Sequence, residues 1–185
     1  MNTLKTHTFL VAFLLAGFFV GLAKSQEAAD GLSEKEIDSL QKELVEAGEL
    51  SSKTRMRRAY KSVVRDAEKL LKSFPSATNH YRVLELIFQG QKRLLAQDNS
   101  NENRDALLET CSRLAGAPDE VADLRLEADL LLMERAQSIK KADVKERAAA
   151  LEGVIARYRD TPGEAKSLMM ASQIAPKLEA FDLEM

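Results

Sequence analysis

Residues that could act as nucleophiles, redox groups or metal ligands are scarce in this chain. It has one cysteine, Cys111, and two histidines, of which only His80 lies after Ser25. Nucleophilic catalysis needs a serine or cysteine beside a base that a third group orients, and the sequence has neither a Gly-x-Ser-x-Gly motif nor a glycine-rich phosphate loop. A metal site needs clustered ligands, which Cys111 and His80 do not form. We therefore predict that the protein is not an enzyme and binds neither a cofactor nor a metal ion.

Cys111 has no second cysteine with which to form a disulfide in the chain. Two interpretations of it are open. An unpaired cysteine in an oxidising compartment can be a reactive thiol, whereas a lone cysteine at an apolar helical position is more often a core residue. We favour burial and keep Cys111 as the candidate thiol site.

Segment 1–25 has the order of a secretory signal peptide. Lys5 precedes an apolar run over 9–23, and small residues follow at Ala23 and Ser25. The run of about 15 residues is shorter than the ~20 that a membrane-spanning helix needs. We therefore predict cleavage after Ser25 rather than an uncleaved membrane anchor. The mature protein is then exported, either to the periplasm or out of the cell, with no stable membrane span.

The charge of the remaining chain limits its partners. Segment 1–25 contains two lysines and no acidic residue, so the net charge changes from −2 for the whole sequence to −4 for 26–185. Nucleic-acid-binding proteins usually have a basic surface, and we predict no nucleic-acid partner. Segment 53–73 is locally basic. One interpretation is a strip that binds anionic lipids or an acidic partner. The other, which we favour, is an exposed helix face whose charge is neutralised by the acidic segment 34–49.

Three prolines, Pro75, Pro118 and Pro162, follow one another at intervals of 43 and 44 residues. Counted from each proline, positions −4, −8 and −11 share one helical face, and they hold Leu71, Ala67 and Val64, then Leu114, Thr110 and Leu107, then Tyr158, Val154 and Leu151. Positions +6, +8 and +12 hold Tyr81, Val83 and Ile87, then Leu124, Leu126 and Leu130, then Leu168, Met170 and Ile174. Because proline cannot continue a helix, each proline is predicted to lie in the turn between two amphipathic helices.

These patterns predict an all-α protein with seven helices. A leading helix over about 33–48 belongs to a first unit, 26–51, and residues 52–185 form a helical-repeat domain. The predicted helix pairs cover 52–73/78–96, 103–115/119–139 and 143–160/163–179. Repeated helix pairs of this length are typical of a right-handed α-solenoid, here of about three antiparallel pairs. An up-down helical bundle is the alternative.

Capping residues predict several helix starts. Ser33 with Glu36 resembles a capping box. Asn101 or Asn103 is the expected cap of the fourth helix, and Asp143 is the expected cap of the sixth.

Two segments, AEKLLKSFPSATNHYRVLELI (67–87) and LEGVIARYRDTPGEAKSLMMAS (151–172), resemble tetratricopeptide-like repeats of bacterial envelope proteins. In that group an aromatic residue and a proline close the first helix. The resemblance covers roughly residues 60–178, although the period exceeds the usual 34 residues and the Trp and Gly-Tyr markers are missing. It implies a scaffold that binds another envelope protein on a concave surface formed by the first helices. There the helical period predicts Tyr60, Arg65 and Arg157 as exposed, partner-binding residues.

The chain is also similar to the helical N-terminal region of exported thioredoxin-like (redoxin) proteins, through LEAFDLEM at 178–185. This resemblance implies an alternative function, that of an accessory helical module in an exported redox system. The sequence has no Cys-x-x-Cys motif, so redox activity itself is not implied, and Cys111 would have to form any mixed disulfide. A third hypothesis is a purely structural helical bundle of the envelope.

The same final segment carries apolar residues that no further predicted helix covers. Terminal repeats need a polar outer face unless a partner covers them. We therefore predict that Phe181 and Leu183 bind a partner or join the chain into a homo-oligomer through its C-terminal end.

Overall fold

The computed structural model describes residues 31–178, and this range contains seven α-helices and no strand. The predicted all-α class is confirmed. The helices are α1 (Glu34–Glu49), α2 (Lys53–Ser73), α3 (His80–Gln97), α4 (Asn101–Leu114), α5 (Ala122–Lys140), α6 (Val144–Tyr158) and α7 (Glu164–Ile174). Short 3-10 turns at Asp119–Val121 and Ala175–Leu178 precede α5 and follow α7. The predicted signal peptide, Phe181 and Leu183 lie outside the described residues.

The helix boundaries agree closely with the prediction except at the last helix. That helix was expected to run to 179, but it ends at Ile174 and continues as a 3-10 turn. Pro176 explains the change, because proline lacks the N–H that an α-helical hydrogen bond requires. Across 31–178, no helix is both long enough and apolar enough to cross a membrane.

The three prolines all lie in turns between paired helices, as their spacing predicts. The third turn shows how the chain reverses. Thr161 Oγ1 donates a hydrogen bond to the Tyr158 carbonyl (2.7 Å) and accepts one from the Gly163 N–H (3.2 Å). Asp160 adopts the left-handed conformation, with φ of 62°. These contacts satisfy backbone groups that the end of α6 leaves free.

Two of the predicted helix caps differ in the structure. Asp143 forms a full capping box with Glu146, as expected for the start of α6. For α4 the cap is Ser100, whose side chain accepts from the Asn103 N–H, and neither Asn101 nor Asn103 caps the helix. The capping box predicted at Ser33 is wrong, because the Ser33 side chain makes no capping hydrogen bond.

Asn79 fixes the start of α1 in place of a local cap. Its side chain accepts a hydrogen bond from the Leu32 N–H (2.8 Å) and donates to the Leu32 carbonyl (2.9 Å) and to Glu34 Oε1 (3.0 Å). Arg82 adds an ion pair with Glu34. One side chain at the start of α3 thus holds the chain segment that leads into α1.

The core has two hydrophobic clusters, and α5 contributes to both. Leu124 and Ala128 pack into the larger cluster, which α1 to α4 form. Leu126 and Leu130 pack into the smaller one, with α6 and α7. Each helix packs against the next along the chain, and α1 also contacts α3. The two faces of α5 therefore join the N-terminal and C-terminal halves.

The repeated apolar positions are largely core positions. Of the nine positions before the prolines, all are buried except Val64, which is half-buried. Of the positions after the first two prolines, all are buried except Tyr81, which is half-buried. In the last pair Leu168 is 55 % exposed, while Met170 and Ile174 are half-buried. The repeat is thus least complete at α7, where no further helix covers its outer side within the described range.

Helices α2 and α3 approach closely at Gly90. A Cβ at this position would lie 2.6 Å from Val64 Cγ2, whereas a Cβ at Gly153 on α6 would meet nothing within 4 Å. Both glycines are inside helices, where alanine is intrinsically favoured by about 0.5–1 kcal/mol.

We expect Gly90→Ala and Gly153→Ala to change stability in opposite directions. The first should lower the free energy of unfolding by about 1 kcal/mol or more, because the stiff Val64 side chain must move. The second should raise it by about 0.5–1 kcal/mol through helix propensity alone. Urea unfolding followed by circular dichroism measures both, and stabilisation by Gly90→Ala would contradict the close approach of α2 and α3.

Candidate functional site

A concave feature in the described range is a cleft between α2 and α4, with α3 as its floor. We call it the α2/α4 cleft. One end is a cavity of about 470 Å³ and the other a cavity of about 250 Å³. The larger cavity is lined by Glu68, Leu71, Lys72, Pro75, His80, Tyr81, Leu84, Glu109 and Arg113. The smaller is lined by Lys61, Val64, Arg65, Gln91, Leu94, Glu102, Asn103 and Ala106.

The order of these residues shows how the helices form the cleft. The middle of α2 shares the smaller cavity with the first half of α4, and the C-terminal parts of both helices share the larger one. Helix α3 contributes its residues in the reverse order. Thus α2 and α4 run parallel as the two walls, α3 runs antiparallel between them, and the two cavities follow one another along the same cleft.

The two walls carry opposite charges. The α2 wall has Lys61, Arg65 and Lys72, and the α4 wall has Glu102 and Glu109. Arg65 is paired with its neighbour Asp66 (3.2 Å). Within residues 31–178 no ion pair is formed by the other four.

One ion pair does cross the cleft, in the larger cavity. Arg113 Nη1 on α4 lies 2.7 Å from Glu68 Oε1 on α2. This pair reverses the charge order of the walls, since it puts the cation on α4 and the anion on α2. It shows that side chains of the two walls are within reach of each other.

The larger cavity has an aromatic end. The rings of His80 and Tyr81 contact each other in a tilted arrangement, with centroids 3.9 Å apart and an interplanar angle of 39°. His80 Nδ1 lies 2.7 Å from the Ala77 carbonyl, so this nitrogen carries the proton and donates it. The His80 side chain is half-buried at the first residue of α3.

Gln91, one of the residues that line the smaller cavity, has a buried side-chain oxygen without a hydrogen-bond partner among the described residues. Gln91 is 7 % exposed, and its Oε1 makes no hydrogen bond with any described residue. A buried acceptor left unpaired costs about 1–3 kcal/mol. The neighbouring buried amide of Asn103 is satisfied, because its Nδ2 donates to the Asp98 carbonyl (2.8 Å). Sequence reasoning did not single out Gln91, because α3 holds three glutamines and the helical period does not show which of them becomes buried.

The predicted partner-binding residues fall in three different environments. Arg65 lines the cleft, as a residue of the first helix of a pair should. Tyr60 was expected to be exposed, and this is wrong: it is 4 % exposed, with the Arg93 guanidinium 5.8 Å from its ring centre. The period placed it on the outer face of α2, but α1 packs against α2 and covers that side.

Arg157 lies on α6, away from the cleft. Its side chain is 58 % exposed, and Nη1 is 3.4 Å from Asp129 Oδ2. Asp129 is itself buried and accepts a hydrogen bond from the Tyr158 hydroxyl (2.8 Å). Arg157 therefore helps to neutralise a buried carboxylate, and it is not brought together with Arg65.

Aspartate and tyrosine are residue types that occur in catalytic centres. Here Asp129 and Tyr158 belong to a hydrogen-bonded cluster between two helices. Arg125 completes the cluster by donating to the Tyr158 hydroxyl (3.3 Å), the Ala117 carbonyl (2.6 Å) and Asp119 (2.7 Å). Burial, together with the hydrogen bond to Asp129, strongly raises the pKa of Tyr158. These residues line neither cavity of the cleft, and they tie α5 to the end of α6.

The basic residues of α2 are not neutralised by α1, contrary to the interpretation favoured from sequence. Among the described residues, no ion pair joins the two helices. The acidic side chains of α1 that do pair with another helix, Glu34 and Asp38, both contact Arg82 on α3. Of the basic side chains of α2, Arg57 pairs with Asp98, and Arg65 and Lys69 pair with Asp66, whereas Lys61 and Lys72 form no ion pair among the described residues.

Cys111 is fully buried, as expected. Burial raises the pKa of its thiol to about 11. At pH 7 only about one molecule in ten thousand would hold a thiolate, which is the form that attacks disulfides. In the range 31–178, no group of three or more His, Cys, Asp or Glu side chains could hold a metal ion.

A second depression lies between α3, α5 and α7, and we call it the α3/α5/α7 groove. It has a volume of about 300 Å³ and is lined largely by acidic residues. Lys92 and Lys166 approach Glu127 at its base, at 2.7 and 3.1 Å. Burial alone would raise the pKa of Glu127, but the hydrogen bonds from the two lysines outweigh it and the pKa is lowered. The charged residues at the base of the groove thus connect α3, α5 and α7.

Comparisons with protein-family models, with curated proteins and with solved structures found no match to this chain. The resemblances to tetratricopeptide-like and thioredoxin-associated proteins therefore stay predictions.

We expect Cys111 to be inert in the folded protein. A thiol-reactive disulfide reagent should label it at least about a hundredfold more slowly at neutral pH than after denaturation in urea, because the thiol is buried and protonated. Cys111→Ser is the control, because this variant has no thiol that the reagent could label. Labelling of the native protein at the rate of the denatured one would contradict this burial.

We expect Glu127 to contribute stability that disappears in acid. Because its pKa is lowered in the folded state, the contribution is present above the ordinary carboxyl value of 4.5 and is lost as the pH falls through the lowered pKa. Glu127→Gln should thus cost about 1 kcal/mol at pH 7 and less at pH 3. Thermal unfolding across this range tests it, with Glu134→Gln on the exposed side of α5 as the control. A cost that is independent of pH would be the contrary result.

Proposed function

We propose that this protein is an exported, non-enzymatic helical-repeat scaffold that binds a segment of another envelope protein in the α2/α4 cleft. The observation that carries the proposal is the pair of oppositely charged walls around a partly apolar floor. Charges that are left unpaired in the free protein can pair with a complementary partner, which favours both correct orientation and fast association.

The dimensions of the cleft suit a protein segment. From Lys61 to Lys72 the α2 wall is about 16 Å long at ~1.5 Å per residue. That is room for about five residues of extended chain at ~3.3 Å each. A nucleic acid fits poorly, because the α4 wall is acidic and would repel phosphates.

Export and the solenoid architecture are parts of the same proposal. Export rests on the order of charged, apolar and small residues in 1–25. The right-handed solenoid is supported by the repeated turns and by α5, which packs on both sides as an inner helix of a stack must. In such a stack the first helices of successive pairs lie side by side, as α2 and α4 do at the cleft.

The redox alternative has no supporting observation among the described residues. A mixed disulfide would require Cys111 to be accessible as a thiolate, and it is buried and protonated. We therefore place the scaffold first.

A second contact surface is proposed at α7. Leu168 and Met169 are 55 and 54 % exposed on its outer side. They add to the prediction, made from Phe181 and Leu183, that the C-terminal end binds a partner or another copy of the chain. This surface is separate from the α2/α4 cleft.

We expect charge reversal of the basic wall to weaken partner capture. Lys61→Glu with Lys72→Glu should reduce the captured amount at least about tenfold, because like charges then face the acidic part of the partner. The measurement is crosslinking in the native cells, affinity capture of the tagged protein without reductant, and quantitative mass spectrometry.

Two controls make the result specific. Lys140→Glu with Lys145→Glu makes the same charge change at exposed sites outside the cleft and should leave capture unchanged. Cys111→Ser should also leave it unchanged, whereas a partner released by reductant and lost in that variant would support the redox alternative. Equal capture by the cleft variant and the wild type would exclude the cleft as the binding site.

A further inference from the structure

We propose that the outer face of α2 is a docking surface for a membrane leaflet that contains anionic phospholipids. We call this surface the α2 basic ridge, and it consists of six exposed basic residues: Arg55, Arg58, Lys61, Arg65, Lys69 and Lys72. The inference goes beyond the proposed function and does not depend on it, because the ligand is lipid and not a protein segment. The contact is peripheral, since charged side chains make it at the surface of the bilayer.

The ridge occupies one face of a single helix. Its members follow one another at intervals of three or four residues, and this spacing places them on the same side of α2. From Arg55 to Lys72 the ridge is about 26 Å long at ~1.5 Å per residue. Every exposed residue of α2 is a lysine, an arginine, a serine or a threonine, whereas the apolar stripe of the helix is buried in the larger core cluster.

The fold neutralises little of this charge. Asp66 pairs with Arg65 (3.2 Å) and with Lys69 (3.0 Å), so one carboxylate serves two cations. Within residues 31–178, the other four members of the ridge form no ion pair. Six cations and one carboxylate leave the ridge with a net charge of +5. A surface of this charge attracts a dense array of anions.

The composition of the ridge favours a lipid leaflet over an acidic protein. Protein interfaces gain affinity from a desolvated core of apolar and aromatic side chains, and no exposed residue of α2 is apolar. Phospholipids diffuse within a leaflet, so their phosphates can gather beneath solvated cations without matching a fixed spacing. Clusters of roughly four to eight Lys and Arg residues on a helix are typical of segments that bind anionic lipids.

Acidic residues elsewhere restrict the contact to the ridge. Glu102 and Glu109 lie on the opposite wall of the α2/α4 cleft, and Glu43 and Glu46 are exposed on α1. Anionic headgroups repel these carboxylates, and residues 26–185 as a whole have a net charge of −4. The protein therefore approaches the bilayer with α2 foremost. Because the attraction is electrostatic, salt weakens it.

The experiment measures sedimentation of the protein with lipid vesicles. The protein is purified from its native cells, and its mass shows which N-terminus it carries. We expect it to sediment with vesicles of phosphatidylcholine that contain about one-third phosphatidylglycerol, and to stay in solution with phosphatidylcholine alone. At about 1 M salt, where the Debye length is only ~3 Å, the anionic vesicles should release it.

Reversal of two charges tests the ridge itself. Arg55→Glu with Arg58→Glu should weaken partitioning onto the anionic vesicles at least about tenfold, because each basic residue near the lipid contributes a factor of roughly five. Neither residue lines a cavity of the α2/α4 cleft, so the variant separates lipid binding from the proposed function. Arg135→Glu with Arg159→Glu makes the same charge change at exposed positions outside α2 and should alter partitioning less than about twofold.

The variant should fold, since acidic residues are favourable near the N-terminus of a helix. Circular dichroism checks this. Arg55→Gln with Arg58→Gln removes the same two charges without adding acidic ones, and it should weaken partitioning severalfold. If the variants of Arg55 and Arg58 bind anionic vesicles as tightly as the wild type, the inference is wrong.

Three further results would overturn the inference. The first is an absence of sedimentation, or equal sedimentation with neutral and anionic vesicles. The second is binding to polyglutamate but not to anionic vesicles, which would identify an acidic protein as the partner of the ridge. The third is release from the vesicles by glycerol phosphate at the same total phosphate concentration, which would show that the ridge binds single phosphates and not a leaflet.

Discussion

Burial of α5 on two sides is the constraint on which the rest of the structure depends. A helix usually covers a core with one apolar stripe, but α5 places Leu124 and Ala128 in one cluster and Leu126 and Leu130 in the other. Each buried leucine contributes about 1.5–3 kcal/mol of transfer free energy. Helices α6 and α7 contribute Leu151, Val154, Tyr158 and Ala171 to the smaller cluster, so α5 connects them to the larger one. The polar contacts of Glu127 with Lys92 and Lys166 reinforce the same junction from outside.

This arrangement also produces the cleft. Because α4 must lie against both α3 and α5, it is held parallel to α2 on the opposite side of α3, and a gap stays open between the two parallel helices. Apolar side chains of α3 form its floor, whereas the outward-facing residues of α2 and α4 form its walls. The walls are therefore solvated helix faces, and the fold does not depend on which charges they carry. The floor belongs to the core.

The sequence predicted the parts of this structure that depend on local physics. Proline spacing and the apolar period placed seven helices, and Asp143 with Glu146 marked the start of α6 because a capping box involves residues only three positions apart. Features that depend on distant contacts were missed. Tyr60 is covered by α1, Asn79 binds a segment 47 residues earlier in the chain, and Gln91 Oε1 has no hydrogen-bond partner among the described residues. Among the residues that line the cleft, Arg65 alone was predicted to bind a partner, since a helical period identifies an outer face but not the neighbouring helix that packs beside it.

The energetic character of the cleft argues for a binding role over a purely structural one. Glu68 and Arg113 show that a cross-cleft ion pair is within reach, yet Lys61, Lys72, Glu102 and Glu109 form none within the described range. Exposed ion pairs add only about 0–1 kcal/mol, so folding has little to gain by closing the cleft with more of them. A buried oxygen without a hydrogen bond is different, because it lowers the stability of the free protein, and leucine at the same place would remove that cost. Local departures from good packing of this kind are typical of sites whose partner is absent from the free structure.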